Sequence, residues 1–264
     1  MSIALICAAS ASAVGQEATI VYRMGRDTVA IERFLRTSGR MSGESVVRHG
    51  DLVARTQYEV TLDRGRVTAL VVRERQADGS PIAGIPVEWR LTLGKDSALR
   101  MTVWPDSTQR KSFAVANAFF LLPIVVSAPA PQSRRLEVFV YSHALFELLY
   151  AAGAARDSML AIPLQGNAAR TLSLRSFSAD LMRFQGGPPS AELMRFDREG
   201  RLLSTDGASV IGTRVAGSVD IAAAAAKMKP TGVLSPRAAA YAEFDRGPIF
   251  INYGRPSMRG RSAT

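Results

Sequence analysis

The chain has 264 residues, enough to bury a full core without a disulfide staple, and its 47% hydrophobic and 21% charged residues exclude wholesale disorder and a polytopic membrane protein. A net charge of +10 would suit nucleic acid or anionic lipid, yet lysine stands only at Lys95, Lys111, Lys227 and Lys229. The other 29 of 33 basic residues are arginines spread through strand-like segments, which a coding preference for arginine explains, and no basic patch interleaved with aromatics argues for nucleic acid.

Ile3 to Val14 form an apolar stretch followed by small residues, which predicts an export signal over residues 1–15 with cleavage near Val14 or Gln16. The cationic n-region expected ahead of it is missing. Export would place the chain in the periplasm or cell envelope. Cys7, the only cysteine, lies inside that stretch, so the mature chain would have neither a disulfide nor a thiolate metal site.

From Ala18 to about Thr108 apolar and polar residues alternate, with turn signals about every ten residues, which predicts consecutive antiparallel hairpins. Tyr58 to Leu62 alternates, Asp63-Arg64-Gly65 turns the chain, and Val67 to Val72 returns. Asp78-Gly79 gives a break and Pro81 to Pro86 a loop. Val87 to Leu93 and Leu99 to Val103 pair across the turn opened by Gly94-Lys95-Asp96. Such strands have one dry face.

The middle differs in kind. Phe113 to Val126 is an almost unbroken apolar run, too short to span a bilayer, so it is buried or faces a ligand. Leu145, Leu148 and Leu149 then share one face of a predicted helix from about Ser142 to Ala154. Short strands resume at Met159 to Leu164, Thr171 to Phe177, Leu181 to Gln185 and Glu192 to Phe196, and Asp197 to Gly200 turns the last into Arg201 to Ser204. Asp220 caps a predicted alanine-rich helix, Ile221 to Met228, which ends at Pro230.

The final stretch reads Ser235-Pro236-Arg237 and then Ile251-Asn252-Tyr253-Gly254-Arg255-Pro256-Ser257-Met258-Arg259-Gly260-Arg261. It resembles the opening of a family of bacterial exported β-sandwich domains of unknown function, which begins Ser-Pro-Arg, runs through one strand and continues Tyr-Gly-Arg-Pro with Arg-Gly-Arg close behind. The resemblance covers about thirty residues. It implies that residues 231–264 are the truncated start of a second β domain, with Arg255, Arg259 and Arg261 in its entrance motif, and that residues 16–230 form the main domain.

The chain is therefore expected to be mainly β: one large curved antiparallel sheet, with two or three short helices covering its concave face. The order of strands, apolar helical cover and further strands resembles the half-barrel of bacterial periplasmic lipoprotein carriers, which implies an interior for a lipid or other apolar small molecule. Phe119, Phe120, Leu122, Phe146 and Leu149 are the candidate ligand-binding residues.

Catalytic and metal signals are sparse. His49 adjoins a turn, and the Ser142-His143 pair lacks a Gly-x-Ser-x-Gly elbow. Asp197, Asp206 and Asp220 fall at turns or helix starts, where local backbone amides explain them. Two separated histidines and no dense acidic loop predict no metal site, and no cofactor is implied. A non-enzymatic binding protein is the leading expectation, with a hydrolase centred near His143 or a ligand-free structural envelope domain as the alternatives.

Overall fold

The computed structural model describes residues 15–49, 52–114, 119–120, 126–128, 136–138, 142–153, 158–162, 170–178, 180–187, 190–207, 210–230, 237–244 and 247–254. The first half is a meander of eight strands: β1 (Gln16–Met24), β2 (Asp27–Arg36), β3 (Arg40–His49), β4 (Leu52–Asp63), β5 (Arg66–Gln76), β6 (Glu88–Leu93), β7 (Ser97–Val103) and β8 (Thr108–Ala114). Each pairs antiparallel with the next, as alternating apolar and polar residues joined by short turns dictate. Arg64 and Gly65 turn β4 into β5 with both φ angles positive, the geometry of a two-residue hairpin whose twist matches its strands.

Strands β9 (Phe119–Phe120), β10 (Val126–Ala128) and β11 (Leu136–Val138) follow, and then a 3-10 turn, His143–Leu145, runs straight into helix α1 (Phe146–Gly153). The second half comprises β12 (Ser158–Ile162), β13 (Arg170–Ser176), β14 (Leu181–Gly187), β15 (Ser190–Phe196), β16 (Leu202–Gly207) and β17 (Val210–Val215), then helix α2 (Ile221–Lys227). Strand β17 was not predicted, since Gly212 and Arg214 interrupt its apolar alternation. It pairs with β1, from Thr19 against Val215 to Arg23 against Ile211, and so joins the two meanders.

The result is a 15-stranded open sheet in the order β8-β7-β6-β5-β4-β3-β2-β1-β17-β16-β15-β14-β13-β12-β9. It is antiparallel except where β9 runs parallel to β12. Strand β9, at one end of this order, also comes beside β5, the fourth strand from the other end. Strands β10 and β11 form a separate pair, as do β18 (Arg237–Phe244) and β19 (Gly247–Gly254), which are matched from Arg237 and Gly254 to Phe244 and Gly247. Where the C-terminal resemblance implied one strand, there is a hairpin.

One face of the sheet carries the main core, including Ile20, Tyr22, Phe34, Val60, Leu70, Trp89 and Leu91, and Ala144, Leu145, Phe146 and Leu148 of the 3-10 turn and α1 pack into the same cluster. This is called the inner face below. The expectation that every helix would cover it needs correction for α2. Ile221 and Ala225 of α2 pack on Val46 and Val53, residues that alternate with the inward Val47 and Ala54 and so lie on the opposite face. With Ile31 they form an apolar spot on that face, and a short helix suffices to cover it. Asp220 caps α2 as predicted, its carboxylate accepting from the Ala223 N–H at 3.0 Å.

Several of the scattered arginines hold outward positions. Arg55 pairs with Glu44, Arg73 with Glu88 and Arg40 with Glu59, so part of the charge belongs to cross-strand surface pairs, each worth little to stability. Asp206, expected at a turn, instead lies within β16 opposite Leu193 and Ile211. Among the described residues no helix is long and apolar enough to cross a membrane.

Candidate functional site

The chemistry of the inner face is concentrated in one rung that crosses four strands. Glu32 of β2 stands opposite Ser45 of β3, Ser45 opposite Thr56 of β4, and Thr56 opposite Glu74 of β5. All four share the phase of the apolar inward residues, and none is more than 1% exposed. A buried carboxylate without partners is strongly unfavourable, so what surrounds each glutamate decides its role.

Glu32 is fully provided for. The Tyr22 hydroxyl donates to its Oε2 at 2.5 Å, the Tyr58 hydroxyl donates to Oε1 at 2.6 Å, and the Ala144 backbone N–H lies 3.3 Å from both oxygens. Burial pushes its pKa above the ordinary carboxylate value, while the two hydroxyls, the nearby His143 and the Ala144 N–H pull it back. Burial, and then Glu32 itself, raise the Tyr58 pKa in turn.

Two glycines stand opposite these tyrosines. Tyr58, on β4, reaches Glu32, on β2, across the intervening β3, where its opposite number is Gly43. A Cβ on Gly43 would sit 2.2 Å from the Tyr58 ring. Tyr22 lies in the same way over its partner Gly212 of β17, where a Cβ would come within 2.8 Å of the ring. Tyr58 thus crosses β3 over Gly43 to set its hydroxyl on the glutamate, while the Tyr22 ring packs against Gly212 on the side of β1 away from β2.

A second glutamate completes the attachment from the helix side. Glu147, in the first turn of α1 and fully buried, accepts from the Leu202 backbone N–H at 2.9 Å and from Arg214 at 2.7 Å, and Arg36 lies 3.3 Å away. The Arg214 guanidinium also stacks over Phe34. The sheet thus holds the 3-10 turn through Glu32, and the helix holds the sheet through Glu147. With its oxygens occupied by protein donors and no exposed surface, Glu32 acts as a latch.

Glu74 is the opposite case. Neither of its carboxylate oxygens has a hydrogen-bond partner, and Ser45 Oγ in the same rung has none either. Burial alone raises its pKa to about 8. Trp89 of β6, inward-facing and opposite Val72, has its indole N–H buried and unpartnered as well. Three polar groups therefore lie without partners on the part of the inner face that α1 does not serve.

The predicted ligand-binding residues distribute as follows. Phe146 is buried in the main core, its ring stacked 5.3 Å from that of His143. Phe119 and Phe120 form β9, paired with Ala161 and Ile162 of β12 and next to β5, the strand that carries Glu74. Leu122 and the side chains of Phe119, Phe120 and Leu149 lie outside the described residues, as do the His49 side chain and Arg255, Arg259 and Arg261. His143 is held between Tyr22 and Phe146, and Ser142 is buried at the start of the 3-10 turn. Sequence reasoning passed over Glu32, Glu74, Tyr22, Tyr58 and Glu147. The signal for the first two was present: each is acidic and in phase with the apolar side of an alternating strand, Ala30 and Phe34 flanking one, Leu70 and Val72 preceding the other.

No family model matches the chain, and neither a curated protein nor a solved structure does.

Proposed function

We propose that this is an exported, non-enzymatic binding protein whose sheet forms a half-barrel and whose inner face receives a lipid or other apolar ligand. The observation that carries the reading is the approach of β9 to β5. Eleven strand-to-strand steps separate them in the sheet, and a flat sheet would hold them about 50 Å apart. Contact between them calls for a sheet bent into a trough, with the apolar inner face as its lining. Among the described residues, the 3-10 turn and α1 lie on that lining and are latched to it near β2, β16 and β17. The apolar stretch from Ile3 to Val14 supports export, and a carrier of apolar molecules suits an envelope compartment.

Native mass spectrometry of the protein purified from its own host tests the reading. Expected is a population heavier than the polypeptide by the mass of an apolar molecule, which organic extraction removes. The purified chain should then take up an environment-sensitive apolar dye, and Phe120→Asp should abolish uptake while leaving the β-rich far-ultraviolet spectrum intact. A polypeptide that carries nothing from its host and takes up no dye would end the proposal.

A further inference from the structure

Buried polar groups in a folded interior are nearly always hydrogen-bonded, so an unpartnered carboxyl is either a defect or a place where something binds. Glu74 is 1% exposed with both oxygens unpartnered, and its neighbours on the inner face share the condition: Ser45 Oγ on the same rung and the Trp89 indole N–H on β6. Val72 precedes Glu74 on the inward side of β5 and Leu70 precedes Val72, with Val60, Leu91 and, beyond Leu91, the buried Arg100 of β7. An isolated glutamate in such a place is a large expense unless a cation arrives to meet it.

We propose that Glu74 is the polar anchor of the interior ligand site and takes the ammonium end of a long-chain amine, whose hydrocarbon lies along the apolar inner face. This rests on the reading of that face as a binding surface. Among the described residues, no side chain or backbone group makes a hydrogen bond to the Glu74 carboxylate. The rung supplies Thr56 and Ser45, and β6 supplies Trp89. Glu32 is three strands away and occupied by its own donors, and Arg100 of β7 stands opposite Leu91, further along the strands. Consistent with this, burial is the sole influence on the Glu74 carboxyl. Binding an ammonium ion converts a protonated Glu74 to the carboxylate, so one proton leaves as the ion pair forms.

The two tryptophans of the chain, Trp89 and Trp104, both have buried, unpartnered indole nitrogens, and Trp104 directly follows Val103, whose carbonyl accepts from the Val87 N–H. Intrinsic fluorescence therefore reports on this end of the face. Full-length protein, stripped of any host ligand, is titrated with dodecylamine, dodecanol and dodecanoic acid below their micellar concentrations. Expected at pH 8 is an amine affinity at least about tenfold above that of the alcohol, with the acid weakest. With the Glu74 pKa near 8, amine affinity should rise about fifty-fold from pH 6 to 8, while alcohol binding hardly changes.

In Glu74→Gln the amine should lose its advantage and its pH dependence, with alcohol binding kept. An amine preference that survives this substitution, or never appears although the alcohol binds, overturns the anchor and leaves the apolar site standing. If none of the three binds by fluorescence or equilibrium dialysis, both readings fall. Should Glu74→Gln not fold, calorimetry of the wild type in buffers of different ionisation heat decides: nearly one proton released per amine at pH 7 supports the anchor, and none released overturns it.

Discussion

Glu32 and Glu74 occupy the two ends of one rung, face the same way and are equally removed from water, yet the fold treats them in opposite fashion. Around Glu32 it gathers two tyrosines, each packed over a glycine, and a backbone N–H from the 3-10 turn above. Around Glu74 it places apolar side chains and two further unpartnered polar groups. Burial alone therefore says little about the role of a charged residue. The completeness of its hydrogen bonding separates a latch that holds the structure together from a group held ready for something else.

The largest effect should come from breaking the satisfied end. Glu32→Ala leaves the Tyr22 and Tyr58 hydroxyls and the Ala144 N–H buried with no acceptor, and a loss of about 4 kcal/mol or more is expected in urea unfolding. The 3-10 turn and α1 should become accessible to hydrogen exchange before the strands do. A loss below about 1 kcal/mol would show that Glu32 is no latch.

Glu74 should show the reverse behaviour, through pH. Its folded-state pKa near 8 lies above its ordinary 4.5, so the folded chain holds a proton that the unfolded chain gives up between those values. Its contribution to stability is thus complete below about pH 4.5 and disappears as pH rises toward 8, a decline of a few kcal/mol. Unfolding curves across that range should show the slope in the wild type and a much shallower one in Glu74→Gln. Equal slopes would mean that Glu74 finds a partner in solution.

Gly43→Ala probes the support of the latch. Its Cβ would meet the Tyr58 ring at 2.2 Å, so the ring must move and its hydrogen bond to Glu32 is lost, at about 2 to 3 kcal/mol. In a double-mutant cycle with Tyr58→Phe the two losses should fall well short of adding. Additive losses would mean that Gly43 matters for some reason other than the tyrosine. The smallest effect belongs to the opposite face: Asp220→Ala removes the cap of α2 and should lower stability by about 1 kcal/mol with no change in amine or dye binding.

Much of the architecture was legible because strand signals are local. The Tyr58 to Val72 hairpin, the Pro81 to Pro86 loop, the strands from Met159 to Phe196, the helix beginning near Ser142 and the Asp220 cap all follow from alternation and turn chemistry within a dozen residues. The candidate site was not, because its members are far apart in the chain. Glu32 and Ala144 are separated by 112 positions, and Glu147 and Leu202 by 55. Acidic residues in phase with an apolar strand face mark an anomaly, but nothing local tells which of them will be met by a partner.

By itself the sequence determined the strand alternation, the turns and the inward phase of Tyr22, Glu32, Tyr58 and Glu74, because side-chain direction in a strand follows position with a period of two. Only the tertiary structure decided that β17 would close onto β1, that β9 would come beside β5, and that α2 would leave the face its companion covers. The physical reason is that these contacts depend on chain closure over long separations, and on which surfaces remain unburied once the hairpins have formed. The same closure brought Ala144 to Glu32 and no counterpart to Glu74.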